Sequence, residues 1–438
     1  MTAQSLRRLF LEVVFVSPVC VCLVAGALVG CNKSSGTTEV QTCPMTDAGA
    51  TVTDAPAAPP DGGSLASLPP PSQISVATLY KAPLVIEGLT ADGNGNFYAA
   101  GRGGMPCPVW RVGATSGMAT VVGNIPSPCS PNGLTFNSAG DLFIGDGNNV
   151  YKLTPNDQTP PMATVFATGV PGANGLAFDR RGALWVSDGT TGQGRVWKIT
   201  PDGTPTEAFR VQALANDVNA VAVDGGAMVG GVGRDPRALP PGSISITATA
   251  RAAADTLGSV PIVANGVAFS SDGTLYVADT GRGAIWKVQL DAQGAIQSPM
   301  GCDTTFPADT LCLQTLLVAH PILEGLDGIA LDVAGNIWGT ANERNAVAVV
   351  TPQGAVREVY RNPPDSTTRL RNMGPLEFPT SPFLLDHRLC ITQSDVSRRD
   401  NAPNTTGEVG PGVTGPLLGK ISCLDVSLPQ AGLPLPVQ

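Results

Sequence analysis

The stretch Asn265-Gly-Val-Ala-Phe-Ser-Ser-Asp-Gly-Thr-Leu-Tyr-Val-Ala-Asp279 contains the pattern that decides the fold of this chain. Two short runs of alternating apolar residues are separated by Ser-Asp-Gly, which is a turn signal. A third run, Ile285-Trp-Lys-Val, follows directly. The stretch is therefore typical of short antiparallel strands rather than of a helix.

The beginning of this stretch recurs along the chain, each time as a carboxylate or amide residue, usually then glycine, then alternating apolar residues. The copies start 45, 42, 45, 46 and 62 residues apart, at Glu87, Asn132, Asn174, Asn219, Asn265 and Asp327. Most copies continue into a second, third and fourth strand. Four antiparallel strands at this period predict an all-β fold, a β-propeller of four-stranded blades.

A further unit begins near Pro379 and continues through strands at Arg388 and Lys420. It lacks a fourth strand of its own, which the segment Ile74-Ser-Val-Ala-Thr-Leu-Tyr80 could supply by joining the two ends of the ring. The repeat count therefore predicts seven blades, with six as the alternative. Five tryptophans recur within the repeats and are predicted to be core residues: Trp110, Trp185, Trp197, Trp286 and Trp338.

The N-terminus has the features of an export signal. Arg7 and Arg8 precede an apolar run that ends in Leu28-Val-Gly-Cys31. This end resembles the lipobox of bacterial lipoproteins, which implies lipidation of Cys31; an ordinary signal peptide and a transmembrane anchor are the alternatives. Because residue 32 is Asn rather than Asp, the resemblance to Gram-negative lipoproteins implies anchoring in the outer membrane, facing the periplasm or the cell surface.

The predicted organisation has four parts. They are a lipoprotein signal peptide over residues 1–30, a Pro/Ser/Thr-rich disordered tether over 31–73, the propeller over 74–428 and a C-terminal tail over 429–438. The net charge of −9 argues against a nucleic-acid partner, since phosphates require basic clusters.

The cysteines show no CxxC or Cys/His metal spacing. Export to an oxidising compartment makes disulfides between sequence neighbours the favoured interpretation. The suggested bridges, which leave Cys43 over, are Cys107–Cys129, Cys302–Cys312 and Cys390–Cys423. His320 and His387 are the only histidines, and His320 is predicted to be a surface or loop residue. The glycine-rich segment 101–104 has no helix after it and is predicted to be a loop.

Residues 265–279 resemble an NHL repeat and, equally, a blade of the gluconolactonase family that includes senescence marker protein. Asp327-Gly-Ile-Ala-Leu-Asp is similar to that family's next blade. Glu87-Gly is similar to its Glu-Gly-Pro, with Leu89 in place of proline. The resemblance extends over about residues 85–425. It implies a six-bladed propeller with a Ca²⁺- or Zn²⁺-dependent lactonase site in the central channel.

Carried onto this sequence, the resemblance implies Glu87, Asn265 and Asp327 as metal ligands. Asn219, or less favourably Asn174, would be an additional ligand or substrate contact. Asp327 is also the candidate general base or nucleophile. Such oxygen donors suit Ca²⁺. Asn132 and Thr380 complete the predicted channel ring.

Three functions remain open from the sequence. The first is a metal-dependent hydrolase of a small lactone or ester. The second is a non-catalytic, NHL-like propeller that binds a protein or a glycan at the cell surface, and the third is a structural or assembly lipoprotein. Fold alone does not choose among them, because propellers host many functions.

Overall fold

A computed structural model describes residues 68, 70–212, 221–222, 228–229, 262–297, 309–312, 316–364, 366, 371–372, 374–385, 388–396, 399–401 and 418–425. Regular structure in these residues is almost entirely β. Single-turn 3-10 helices occur at Pro71–Gln73, Pro321–Leu323, Asn342–Arg344 and Arg399–Asn401. Among the described residues, no helix has the length and apolar character needed to cross a membrane.

The strands are short, as the period-two alternation predicts. In chain order they are β1 (Val76–Ala82), β2 (Thr90–Ala91), β3 (Asn96–Ala100), β4 (Cys107–Gly113), β5 (Ala119–Ile125), β6 (Pro131–Phe136), β7 (Leu142–Asp146), β8 (Asn149–Leu153), β9 (Thr164–Thr168), β10 (Ala173–Phe178), β11 (Leu184–Asp188), β12 (Arg195–Ile199), β13 (Pro205–Val211), β14 (Val221–Ala222), β15 (Met228–Val229), β16 (Val267–Phe269), β17 (Leu275–Asp279), β18 (Ala284–Val288), β19 (Thr310–Leu311), β20 (Leu316–Ala319), β21 (Leu326–Leu331), β22 (Ile337–Ala341), β23 (Ala346–Val350), β24 (Val356–Arg361), β25 (Pro379–Leu385), β26 (Arg388–Gln393) and β27 (Gly419–Leu424).

These strands form six blades within the described part of the chain. The first three blades are β2–β5, β6–β9 and β10–β13, and β19 adds a parallel strand to the outer edge of the third. The fourth blade is β16, β17, β18 and β20, and the fifth is β21–β24. The sixth is β25, β26 and β27 with β1 at its outer edge.

The glycine after each repeat start shows how neighbouring blades meet. A Cβ atom placed on Gly88, Gly133, Gly175, Gly266 or Gly328 would lie less than 3.0 Å from the carbonyl oxygen of the repeat-start residue of the next blade. Those oxygens belong, in turn, to Asn132, Asn174, Asn265, Asp327 and Thr380. Glycine is therefore required because the innermost strands approach one another backbone to backbone.

The seven-blade prediction is wrong, and its alternative of six is confirmed. Blade three contacts blade four directly, since the Ser187 hydroxyl donates a hydrogen bond to the carbonyl oxygen of Asn265. Blades three and four are therefore neighbours in the ring, although the repeat pattern that starts at Asn219 lies between them in the sequence. In that segment the structure describes only the strand pair β14–β15. Asn219 itself lies outside the described residues.

The ring closes through the first strand, as predicted. β1 pairs antiparallel with β27 from Val76 opposite Leu424 to Ala82 opposite Gly419. At the channel, the Thr380 hydroxyl donates a 2.8 Å hydrogen bond to the carbonyl oxygen of Glu87, which joins blade six to blade one. The N-terminal strand thus covers an edge that would otherwise present unpaired backbone groups.

The core lies between the blades. Trp185, Trp286 and Trp338 are completely buried there, and Trp110 is buried in the packing between blades six and one. The core prediction is confirmed for these four; Trp197 is half-buried. Disulfides join Cys107 to Cys129 and Cys390 to Cys423, as predicted. Cys312 is disulfide-bonded, but Cys302 lies outside the described residues, so the predicted Cys302–Cys312 pairing stays a prediction.

Candidate functional site

The repeat-start residues lie next to one another at one end of the central channel. Each precedes or opens an innermost strand. The close contacts between the glycine of one blade and the repeat-start carbonyl oxygen of the next therefore place these residues side by side in blade order. All but Glu87 are buried: Asn132, Asn174, Asn265, Asp327 and Thr380. The Glu87 side chain is 14% exposed. Asn174 of blade three thus comes next to Asn265 of blade four, because Gly175 meets the carbonyl oxygen of Asn265; Asn219 lies outside the described residues.

Asp327 is the most perturbed carboxyl group of this ring. Burial raises its pKa well above the ordinary value, and the negative charge of Glu87 raises it further. Hydrogen bonds from Asn342 and Asn265 and the positive charge of Arg102 act in the opposite direction. The Asn342 amide donates to Asp327 Oδ2 over 2.9 Å. Perturbation by both burial and a like charge is typical of functional carboxylates.

Asn265 is held in place by a chain of hydrogen bonds. Its Nδ2 donates to Thr280 Oγ1 over 3.0 Å, and the Thr280 hydroxyl donates to the Leu326 carbonyl oxygen over 2.6 Å. Leu326 is the residue directly before Asp327. The amide of blade four and the carboxylate of blade five are thus positioned by the same contact.

Arg102 neutralises Glu87 in the described structure. One guanidinium nitrogen, Nη2, contacts both Glu87 Oε2 and Asn132 Oδ1. Nε donates to the Pro131 carbonyl oxygen over 2.8 Å. The Arg102 side chain is 25% exposed, so its charge lies at the mouth of the channel rather than in the core.

The model of the family described as the SMP-30/gluconolactonase/LRE-like region matches residues 210–373. This region includes Asn265 and Asp327, whereas Glu87 and Arg102 lie before it. No curated protein matches the chain.

The solved structures that resemble the chain support the same propeller fold. A luciferin-regenerating enzyme is 13% identical over 83% of this chain and 100% of its own, with a TM-score of 0.51. Regucalcin from Agrobacterium tumefaciens str. C58, described as a calcium-binding protein, is 18% identical over 83% of this chain and 98% of its own, with a TM-score of 0.50. At these identities the likeness shows the fold alone.

Sequence reasoning missed three side chains that hold the repeat-start residues of the propeller in place. Arg102, Thr280 and Asn342 come at most two residues after the second strand of their blades, β3, β17 and β22. Because the second strand runs antiparallel to the first, its end lies beside the repeat start. A polar residue directly after the second strand of a blade was therefore the sequence feature that could have identified these three side chains.

The donor set fits a hard cation. Two carboxylates and an amide oxygen are ligands that Ca²⁺ prefers, and a buried Asp327 close enough to feel the charge of Glu87 gains from a nearby positive ion. Among the described residues, no group of three or more His, Cys, Asp or Glu side chains is arranged so that it could hold a metal ion. A cation would therefore take Glu87 and Asp327 as its charged ligands and depend on amides such as Asn265 for the remainder.

The other candidates have structural roles. His320 caps the 3-10 helix that follows it, since its Nδ1 accepts a 3.1 Å hydrogen bond from the backbone N–H of Ile322. Burial lowers the pKa of His320. His387 lies outside the described residues.

Proposed function

We propose that this propeller is a cation-dependent hydrolase of a small lactone or ester, with its site at the Asp327 end of the channel. The observation that supports this most directly is the buried Asp327 carboxyl, whose pKa is raised by burial and by Glu87. The match to the SMP-30/gluconolactonase/LRE-like region and the calcium-binding neighbour add to it. Ca²⁺ is the first candidate and Zn²⁺ the second.

In this proposal Glu87, Asn265 and Asp327 hold the cation. When bound, the cation supplies polarisation of a carbonyl group or activation of a water. The additional ligand or substrate contact is Asn219, which lies outside the described residues, or Asn174, the blade-three neighbour of Asn265. Asn342 keeps the Asp327 carboxylate oriented through its 2.9 Å hydrogen bond. Asp327 is also the candidate general base or nucleophile.

The test is metal content together with cation-dependent melting of the full chain. A protein that binds Ca²⁺ only when folded gains about 2.7 kcal/mol of unfolding free energy when the Ca²⁺ concentration is a hundred times Kd. It therefore melts at a higher temperature when Ca²⁺ is added. We expect this shift with Ca²⁺, its loss with EDTA, and hydrolysis of glucono-δ-lactone or an aryl ester. Absence of metal, of a melting shift and of hydrolysis together would contradict the proposal.

A second function, a non-catalytic propeller that binds a protein or a glycan, is favoured by one contact. The ion pair between Arg102 and Glu87 provides the channel with its own counter-charge. A ring that is neutralised internally can present its loops to a partner without a cation. A melting temperature that Ca²⁺, Zn²⁺ and EDTA all leave unchanged would favour this function over hydrolysis.

The proposal includes export and a lipid anchor on Cys31, which lies outside the described residues. The supporting features are Arg7, Arg8 and the Leu28-Val-Gly-Cys31 end of the apolar run. We expect Cys31→Ser to abolish incorporation of labelled palmitate and to leave the protein uncleaved or soluble. The matched control is Cys43→Ser in the predicted tether, which should keep the label. Equal labelling of Cys31→Ser and wild type would refute the anchor.

A further inference from the structure

Arg102 connects two blades at the channel mouth. Its Nε is anchored to the Pro131 carbonyl oxygen of blade two, and its Nη2 reaches back to Glu87 of blade one. The loop around it is glycine-rich: Gly103 has a φ of 74°, and a Cβ atom there would meet nothing within 4 Å. The base of the loop is fixed by the Cys107–Cys129 disulfide. The guanidinium is thus held by Pro131 at Nε and by Glu87 and Asn132 at Nη2, on a loop with space around the backbone of Gly103.

The charges around Arg102 are unbalanced. Glu87 pairs with Arg102 directly. The positive charge of Arg102 also acts on the buried carboxyl groups of Asp327 and Asp146 and lowers the pKa of each, against the rise that burial causes. Asp146 is held separately, because both of its oxygens accept from the Ser130 backbone N–H, at 3.1 and 3.2 Å. One guanidinium therefore faces more than one carboxylate. A divalent cation between Glu87 and Asp327 would offset their charges better than Arg102 does.

We propose that Arg102 is an exchangeable counter-ion that becomes the recognition group for a carboxylate on the substrate. The inference rests on the cation site proposed above. When the cation takes Glu87, the guanidinium loses that partner but keeps its contacts to the Pro131 carbonyl oxygen and to Asn132 Oδ1. The Nη N–H that pointed at Glu87 is then available to a carboxylate on a ligand. A planar guanidinium binds a carboxylate through two parallel hydrogen bonds, so the substrate class is an acid-bearing lactone or ester.

The first test measures Ca²⁺ binding by calorimetry to the metal-free full chain. Arg102→Gln removes the competitor for Glu87, and losing one charge-assisted hydrogen bond corresponds to roughly tenfold tighter Ca²⁺ binding. The matched control is Arg111→Gln in β4 of the same blade, which breaks a surface pair with Asp157 of 2.7 Å and should leave Ca²⁺ binding unchanged. Equal Ca²⁺ affinity of Arg102→Gln and wild type would overturn the exchange while leaving the cation site intact. Failure of both to bind Ca²⁺ would instead remove the proposed cation site.

The second test uses D-glucuronate and uncharged D-glucose as probes of the Ca²⁺-loaded protein. Wild type should prefer glucuronate, and Arg102→Gln should lose that preference by roughly tenfold. Arg102→Lys keeps the charge without the planar fork and should retain part of the preference, which keeps the test valid if the glutamine variant folds poorly. A wild type without preference, or a glutamine variant that keeps it fully, would overturn the recognition role.

Discussion

Asp327→Asn is expected to abolish Ca²⁺ binding and to lower kcat for lactone or aryl-ester hydrolysis at least about a hundredfold, the usual loss when a positioned acid–base group is removed. The substitution keeps the shape of the side chain and removes its charge. The neighbouring amides of Asn265 and Asn342 can still form hydrogen bonds to the new amide. Calorimetry with Ca²⁺ and initial rates on glucono-δ-lactone measure the two effects.

The same variant should be more stable than wild type when no cation is present. Because the pKa of Asp327 is raised in the folded state, the folded protein binds this proton more tightly than the unfolded chain does. Wild type therefore loses stability as the pH rises above the ordinary Asp value, and Asp327→Asn escapes that loss. In EDTA at neutral pH we expect the variant to melt higher, by roughly 1–2 °C for each kcal/mol of stability that the loss of the buried charge restores. The difference should shrink as the pH falls toward about 4, the ordinary Asp value.

Asp332→Asn provides the matched control in the same blade. Asp332 is also buried, but it accepts hydrogen bonds from Trp338 Nε1 and Asn336 Nδ2, both over 2.9 Å. The Asp332 carboxylate stabilises the fold by accepting these two hydrogen bonds. Asp332→Asn should therefore melt below wild type with and without Ca²⁺. If Asp327→Asn also melts below wild type in EDTA and retains hydrolysis, Asp327 is a structural residue and the proposed site is wrong.

Removal of β1 should have the largest effect on folding. A chain that starts at Pro83 lacks the strand that pairs with β27 and loses the buried side chains of Ile74 and Ala82, together with the partly buried Val76, Leu79 and Tyr80. Burial of these side chains corresponds to at least about 4 kcal/mol. The exposed edge of β27 would also invite aggregation. Thermal unfolding and size-exclusion chromatography measure both consequences.

A chain that lacks only residues 1–63 is the control for this truncation, because it keeps β1 and all of its described contacts. It should melt like the full chain. Adding residues 70–85 as a separate peptide to the Pro83 chain should restore part of the lost stability, since the pairing with β27 does not require chain continuity. A loss of about 4 kcal/mol would lower the melting temperature by several degrees. If the Pro83 chain melts within about 1 °C of the control, β1 does not contribute to closure of the ring.

The sequence alone was sufficient to define the blade. Alternating residues and turn glycines are local signals, so the strands of the unit containing Asn265 could be located without knowledge of any contact. The same signals placed Glu87, Asn265 and Asp327 at equivalent positions, which is why the ring could be predicted. The missing fourth strand of the last unit pointed to the segment from Ile74 to Tyr80 as the closing strand, because a blade with an open edge needs a partner.

Tertiary structure decided how many units enter the ring and what surrounds the carboxylates. The segment at Asn219 has the local pattern of a repeat, yet blade three contacts blade four through Ser187 and the Asn265 carbonyl. Which blades are neighbours depends on backbone packing between segments distant in sequence, and a local pattern does not record it. The Arg102 contact to Glu87 and the burial of Asp327 arise from the same long-range packing. The sequence therefore determined the unit and its candidate ligands, whereas the closed ring determined their number, their partners and their charge balance.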